Sequence, residues 1–321
     1  MTRIAFEQVV IMFIMIILGF LLTKLKIIDI KAKGTLSNIL FYLAVPFMII
    51  NSYTISYDKT IMTNLLLTFL ISFIVMIIGI AISFFISLFW KTNEKSIFRI
   101  AMMFSNAAYM GFPLIDAIYG DLGLIYASGF VTVLNVLLWT LGVLINSNNI
   151  SFKESIKQIL KVPVLYAVIV GMIIFFFKIP IPNVIRMPLS LIGALNTPIS
   201  MIIIGMIIAT SNIFSSLKNI YLWLTVIIRL IIIPFIILGL VWLMKLFNID
   251  KEIIIVIFIL NACPSAAITS VFAIKFNHDE NIAASCVVVT TLLSIISLPL
   301  FTMLINQFFW ILVLTINTFM I

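Results

Sequence analysis

Between Lys59 and Lys91 the chain carries no charged side chain. That stretch exceeds the roughly 20 apolar residues a helix needs to cross a bilayer, and similar stretches recur along the whole sequence. Of the 321 residues only 9% are charged and 64% are hydrophobic, whereas a soluble domain carries about 25% charged residues. A soluble fold would have to leave much of this apolar surface wet. The chain is therefore read as an all-α polytopic membrane protein. The N-terminal stretch from Met1 to Lys24 has an apolar run too long for a signal peptide and no small-residue cleavage site. It is read as a retained first span.

Length and polarity place about ten spans, over 5–23, 35–53, 62–90, 97–120, 122–146, 162–178, 188–210, 219–247, 253–275 and 281–312. The third and eighth are longer than a bilayer requires, which predicts tilt or a protruding end. About twelve basic residues, from Lys24 to Lys275, fall in loops that follow odd-numbered spans. About six, Arg3, Lys59, Lys178, Arg186, Lys245 and Lys251, fall on the other side. The positive-inside rule then puts both termini outside. The net charge of +8 belongs to these loops and is no sign of nucleic-acid binding. The longest connection, around 147–161, sets Phe152, Ile156, Ile159 and Leu160 at helical spacing beside Lys153, Lys157 and Lys161. It reads as a short helix on the cytoplasmic surface or as a solvated linker.

That connection divides the spans five and five, giving one unit over 1–150 and a second over 151–321. The halves share weak matches in the same order. NAAYMGFP from Asn106 parallels NACPSA from Asn261, and GLIYAS from Gly123 parallels ENIAAS from Glu280. Pro46 and Pro198 interrupt the second and seventh spans. Five spans per unit turn the second unit upside down. Inverted repeats of this kind mark secondary transporters, with the substrate site at broken helices near the midplane.

The candidate breaks lie in SNAAYMGFPLIDAIYG (105–120) and ACPSAAITSVFAIKF (262–276). At 1.5 Å per residue, Asn106 is about 14 Å and Pro113 about 24 Å into the fourth span, and Asn261 about 12 Å and Pro264 about 17 Å into the ninth. Both breaks then straddle the middle of a core about 30 Å thick. Proline frees a carbonyl by withholding an N–H, and Gly111 permits unwound backbone. Freed backbone groups must line protein or a wet cavity. Asn106, Gly111, Pro113, Asn261, Pro264 and Ser265 are therefore candidate substrate-binding positions. The competing reading is an ordinary proline kink.

Two charged residues lie deep within spans. Arg229 either attracts an anion or locks helices by bonding backbone carbonyls. Asp116 either carries a coupling proton or caps a half-helix start after Pro113. Thr132, Asn135, Thr290 and Thr291 either line the site or bond between helices. Cys263 and Cys286 read as small buried hydrophobes. His278 stands alone, and no HExxH, CxxC or GxSxG occurs, so nothing supports an enzyme, a metal site or a cofactor.

These same segments, with TTLLSIISLP (290–299), IIRLIIIPFIILGL in the eighth span and KVPVLYAVIVG at the start of the sixth, resemble the auxin efflux carrier family in its bacterial, malate-permease-like branch. The resemblance runs over essentially the whole chain. It implies ten spans in two inverted five-helix repeats, with broken, crossing fourth and ninth helices. It further implies a scaffold of spans 1, 2, 6 and 7, often the dimer surface, and a moving transport bundle of spans 3–5 and 8–10. Asn106 matches the family's substrate-side asparagine, and Pro113 and Pro264 its crossover prolines. The long central loop of plant members is missing, and Ser265 follows the second proline, so auxin itself is not expected.

The expected function is a secondary transporter of a bacterial inner membrane. It would move a small organic anion, a carboxylate such as malate, by alternating access. A sodium-coupled symporter of related fold and a transporter-like sensor that binds without transport are the alternatives.

Overall fold

The computed structural model describes residues 1–146, 152–246 and 249–319. Among these the chain is helical, and its only β-pairing is a single antiparallel bridge. Seven helices are long and apolar enough to cross a membrane, as the uncharged runs require. The chain forms a multi-pass membrane protein. In order, its helices of eight or more residues are α1 (Thr2–Lys24), α2 (Ala32–Ser52), α3 (Lys59–Ser87), α4 (Lys95–Met103) and α5 (Ala107–Ile145). There follow α6 (Phe152–Ile159), α7 (Pro163–Phe176), α8 (Asn183–Thr210), α9 (220–246), α10 (Lys251–Ala262), α11 (Ile268–Lys275) and α12 (Glu280–Phe319). The helix expected around 147–161 is α6; residues 147–151 lie outside the described residues.

The fourth and fifth expected spans run into one another in α5. They are separated at Gly120, which takes φ +57° and ψ −146°. A side chain is disfavoured at that φ, so glycine allows the chain to turn there without interrupting the run.

Three prolines inside apolar runs, Pro46, Pro113 and Pro234, share one local device. A wide π-helical turn ends two residues before each: 40–44 before Pro46, 107–111 before Pro113, and 228–232 before Pro234. Proline withholds the N–H that would bond the carbonyl four residues back, and a wider turn accommodates that loss. For Pro113 the freed carbonyl is that of Tyr109. It accepts from the Ser200 hydroxyl of α8 at 3.2 Å, which also reaches Thr197 O in its own helix. A Ser200→Ala variant should therefore be less stable by about 1 kcal/mol, seen as a lower unfolding midpoint in detergent.

The helices pack in two sets. In the first, α1 lies along α8, and α2 against α7 and α8. Backbones nearly touch where Gly19 of α1 meets Gly205 of α8. A Cβ on Gly19 would fall 2.6 Å from Ile202 O. Without a hydrophobic drive between helices in lipid, such close van der Waals contact is what holds them. In the second set α3, α4, α5, α9, α10, α11 and α12 pack on one another. Contacts between the sets include the buried hydroxyl of Tyr53, the residue that follows α2, 2.9 Å from the Ser128 hydroxyl of α5.

Candidate functional site

The second set contains two interruptions that meet. Between α4 and α5 the chain leaves helix at Phe104, which is extended (φ −109°, ψ 126°). Between α10 and α11 it leaves at Cys263 (φ −58°, ψ 153°). Ser105 and Ser265 pair as an antiparallel bridge. Asn106 N–H donates to Pro264 O at 2.8 Å, and Ala266 N–H to Phe104 O at 3.0 Å. Two unwound segments, 160 positions apart in sequence, thus satisfy each other's backbone in place of the lost helical bonds.

Side chains complete the crossing. Ser265 Oγ donates to Ala101 O at 2.7 Å, and Ser265 N–H donates to Thr290 Oγ1 of α12 at 3.1 Å. The decisive side chain is Arg229, which is fully buried in the π-helical turn of α9. Its Nε donates to Cys263 O at 3.0 Å, its Nη1 to Met102 O at 3.0 Å, and its Nη2 to Cys263 O at 2.9 Å and to Asn261 O. One guanidinium thereby caps the carbonyl ends of both α4 and α10, where the helix dipoles concentrate negative charge. Of the two readings of Arg229, the geometry is that of the helix lock.

The opposite ends point the other way. Met110 and Gly111 N–H both bond Asn106 O, so the N–H groups of Ala107, Ala108 and Tyr109 begin α5 with no acceptor in the helix. Asn106 caps none of them with its side chain. It is 4% exposed, and its Nδ2 has no partner. Asn261 is also 4% exposed, with its Oδ1 unpartnered. Buried amide atoms are seldom left unpaired, and each such atom calls for an explanation.

Asn106, Asn261, Pro264, Ser265 and Arg229 are therefore brought together. Gly111 stands one turn on. A Cβ there would strike the Leu260 side chain and lie 3.4 Å from Cys263 Sγ, so glycine lets α5 pass α10 closely. Pro113 is buried, but the break is at 104–106 rather than at Gly111–Pro113. The partner segment at Pro264, and not the proline of the fourth span, holds the chain open. Asp116 does not cap a half-helix start. Helix already begins at Ala107, and Asp116 is exposed about 14 Å further along it. Thr290 touches the crossing and Thr291 Oγ1 is buried without a partner, whereas Thr132 and Asn135 bond carbonyls of their own helix. Cys263 and Cys286 are buried free thiols.

Several residues go beyond the sequence reading. Asn196, 1% exposed, has neither amide atom partnered; the only hint was an asparagine beside Pro198. Asn64 Nδ2 donates to Asp250 Oδ2 at the start of α10 and to the Tyr126 hydroxyl. At the far end of both broken helices, His278 Nδ1 lies 3.2 Å from Glu94 Oε2, which also accepts Asp279 N–H at 3.1 Å.

A model of the membrane transport protein family matches the chain over residues 4–158 and 148–302. The chain belongs to that family, the auxin efflux carriers. An uncharacterized transporter from Methanothermobacter thermautotrophicus is 24% identical over 307 residues, which cover 92% of this chain and 97% of that relative. The protein is thus a membrane transporter and not an enzyme.

Proposed function

We propose that this transporter is a secondary active carrier of a small organic anion, a carboxylate such as malate, working by alternating access. The observation that carries the reading is the pair of buried, unpartnered amide atoms: Asn106 Nδ2, next to the N–H groups that open α5, and Asn261 Oδ1, in the last turn of α10. A helix start favours negative charge and offers donors to it. A carboxylate would accept from Asn106 Nδ2 and from the Ala107–Tyr109 N–H groups. Asn261 Oδ1 would accept from a substrate hydroxyl.

Ten spans fit the helices when α5 counts twice about Gly120 and each broken pair counts once, with α4 joined to the first part of α5 and α10 to α11. They would form two inverted five-helix repeats over 1–150 and 151–321. The two packing sets support a scaffold of α1, α2, α7 and α8, offering a homodimer surface, and a moving bundle of the remaining spans. Both termini would lie outside a bacterial inner membrane. A reporter fused after Ile321 should then be active only on the outer side, and cytoplasmic activity would reverse the orientation.

Uptake of labelled malate and related dicarboxylates into proteoliposomes, with sodium and pH varied separately, tests the function. Saturable binding without uptake would make the protein a sensor. Asp116, a carboxyl group in the bundle with no capping bond, is the proposed coupling group. Asp116→Asn should flatten the pH dependence of uptake while leaving the amount of folded protein unchanged. Normal uptake with the parent's pH profile would remove Asp116 from the mechanism.

A further inference from the structure

We infer that the Arg229 guanidinium is the resident cation of the crossing, filling the place a coupling sodium ion would need, so that transport proceeds without one. The inference rests on the crossing being the substrate site. In transporters built on broken helices, coupling cations are held by unwound carbonyls and by the C-terminal ends of the half-helices. Here those groups are the carbonyls of Met102, Asn261 and Cys263, from the ends of both α4 and α10, and one side chain bonds all three. Each helix end carries about half a negative charge, so two ends facing one point are balanced by about one positive charge. Arg229 supplies it. A guanidinium keeps its charge under all ordinary conditions, and its planar fork reaches several oxygens at fixed angles. Among the described residues no carboxylate pairs with Arg229, so its charge is directed at the backbone.

An ion entering among these oxygens would have to expel a fully buried guanidinium into surroundings that charge enters only at high cost. The two opposing helix starts, α5 and α11, then keep about one positive charge for the substrate. This places the selectivity of the site for anions on the backbone, with Arg229 as a positioning residue that neutralises the other side.

The test uses the purified full chain. The thermal unfolding midpoint of the parent should be the same in sodium, potassium and choline chloride at equal ionic strength. A saturable rise specific to sodium would overturn the inference, whether or not any carboxylate is transported. Uptake of labelled malate should likewise be unchanged when choline replaces sodium at a clamped potential. Sodium-dependent uptake would overturn the inference while upholding the transport reading, and no malate uptake at all would count against that reading alone. Arg229→Ala should lose malate binding by about tenfold or more, the scale of one charged hydrogen bond. Millimolar methylguanidinium should restore both its binding and its unfolding midpoint, and choline should not. An Arg229→Ala protein as stable as the parent, or one that methylguanidinium leaves unchanged, would refute the resident-cation role. If Arg229→Ala does not fold, Arg229→Lys serves. It keeps the charge without the fork, and its unfolding midpoint should fall yet stay independent of sodium.

Discussion

Asn106→Ala should weaken malate binding about ten- to a hundredfold, because a hydrogen bond to a charged group contributes about 1.5–3 kcal/mol. The same change should leave the unfolding midpoint where it is or raise it. In the free protein Asn106 Nδ2 is buried without a partner, and an unsatisfied buried group costs about 1–3 kcal/mol. Binding and stability thus move in opposite directions, which ordinary damage to the fold would not produce. Asn261→Ala should behave alike through its unpartnered Oδ1. Ser265→Ala is the contrast. Its hydroxyl is already bonded to Ala101 O, so its loss should lower stability by about 1 kcal/mol. Titration of labelled malate against each purified variant, beside its unfolding curve, separates the three. Full-strength binding by Asn106→Ala would move the substrate away from the crossing.

Gly205→Val should abolish most of the folded protein. A Cβ at Gly205 would meet Ile16 O, would lie 2.6 Å from Phe20 N and would lie 2.8 Å from Gly19 C. All three are backbone atoms of α1, so no side chain can rotate aside. Overpacking ordinarily costs about 1–3 kcal/mol, and here relief requires two whole helices to separate. Gly239→Ala is the control, because a Cβ there meets nothing within 4 Å. It should be neutral or slightly stabilising, since alanine is the better helix former. Comparing monodisperse yield and unfolding midpoint for the two variants checks the expectation. A well-folded Gly205→Val protein would mean that α1 and α8 are not fixed together at this point.

The membrane class and the positions of the helices were legible because lipid forces long uncharged runs, and Lys59 to Lys91 shows one without ambiguity. Asn106, Asn261 and Pro264 were legible as a group because polar residues and proline are conspicuous in such runs. The exact break in the fourth span was not. Phe104 and Ser105 carry no local signal to leave helix; their partner lies at Pro264–Ala266, and a pairing over that distance leaves no mark on neighbouring residues. Pro113 misled for a related reason. A proline can be absorbed by a wide turn and a borrowed hydroxyl from Ser200 without ending the helix. Arg229 was visible as an interior charge, yet its acceptors are carbonyls, and every residue has one. Gly19 and Gly205 carry no mark of their role in the sequence, because the close approach exists only once the helices are side by side.

The bridge between Ser105 and Ser265 also sets an order of events during synthesis. Phe104 O and Asn106 N–H find their partners only in Ala266 and Pro264, made about 160 positions later. At about 5–20 residues per second, that delay is roughly 8–32 seconds. Throughout it the unwound segment cannot sit exposed to hydrocarbon. The stretch from α4 into α5 must therefore wait as an unbroken helix, or sheltered at the site of insertion, and take its final shape only when α10 and α11 arrive. Arg229 is made between the two, so its side chain is present before the second set of carbonyls exists.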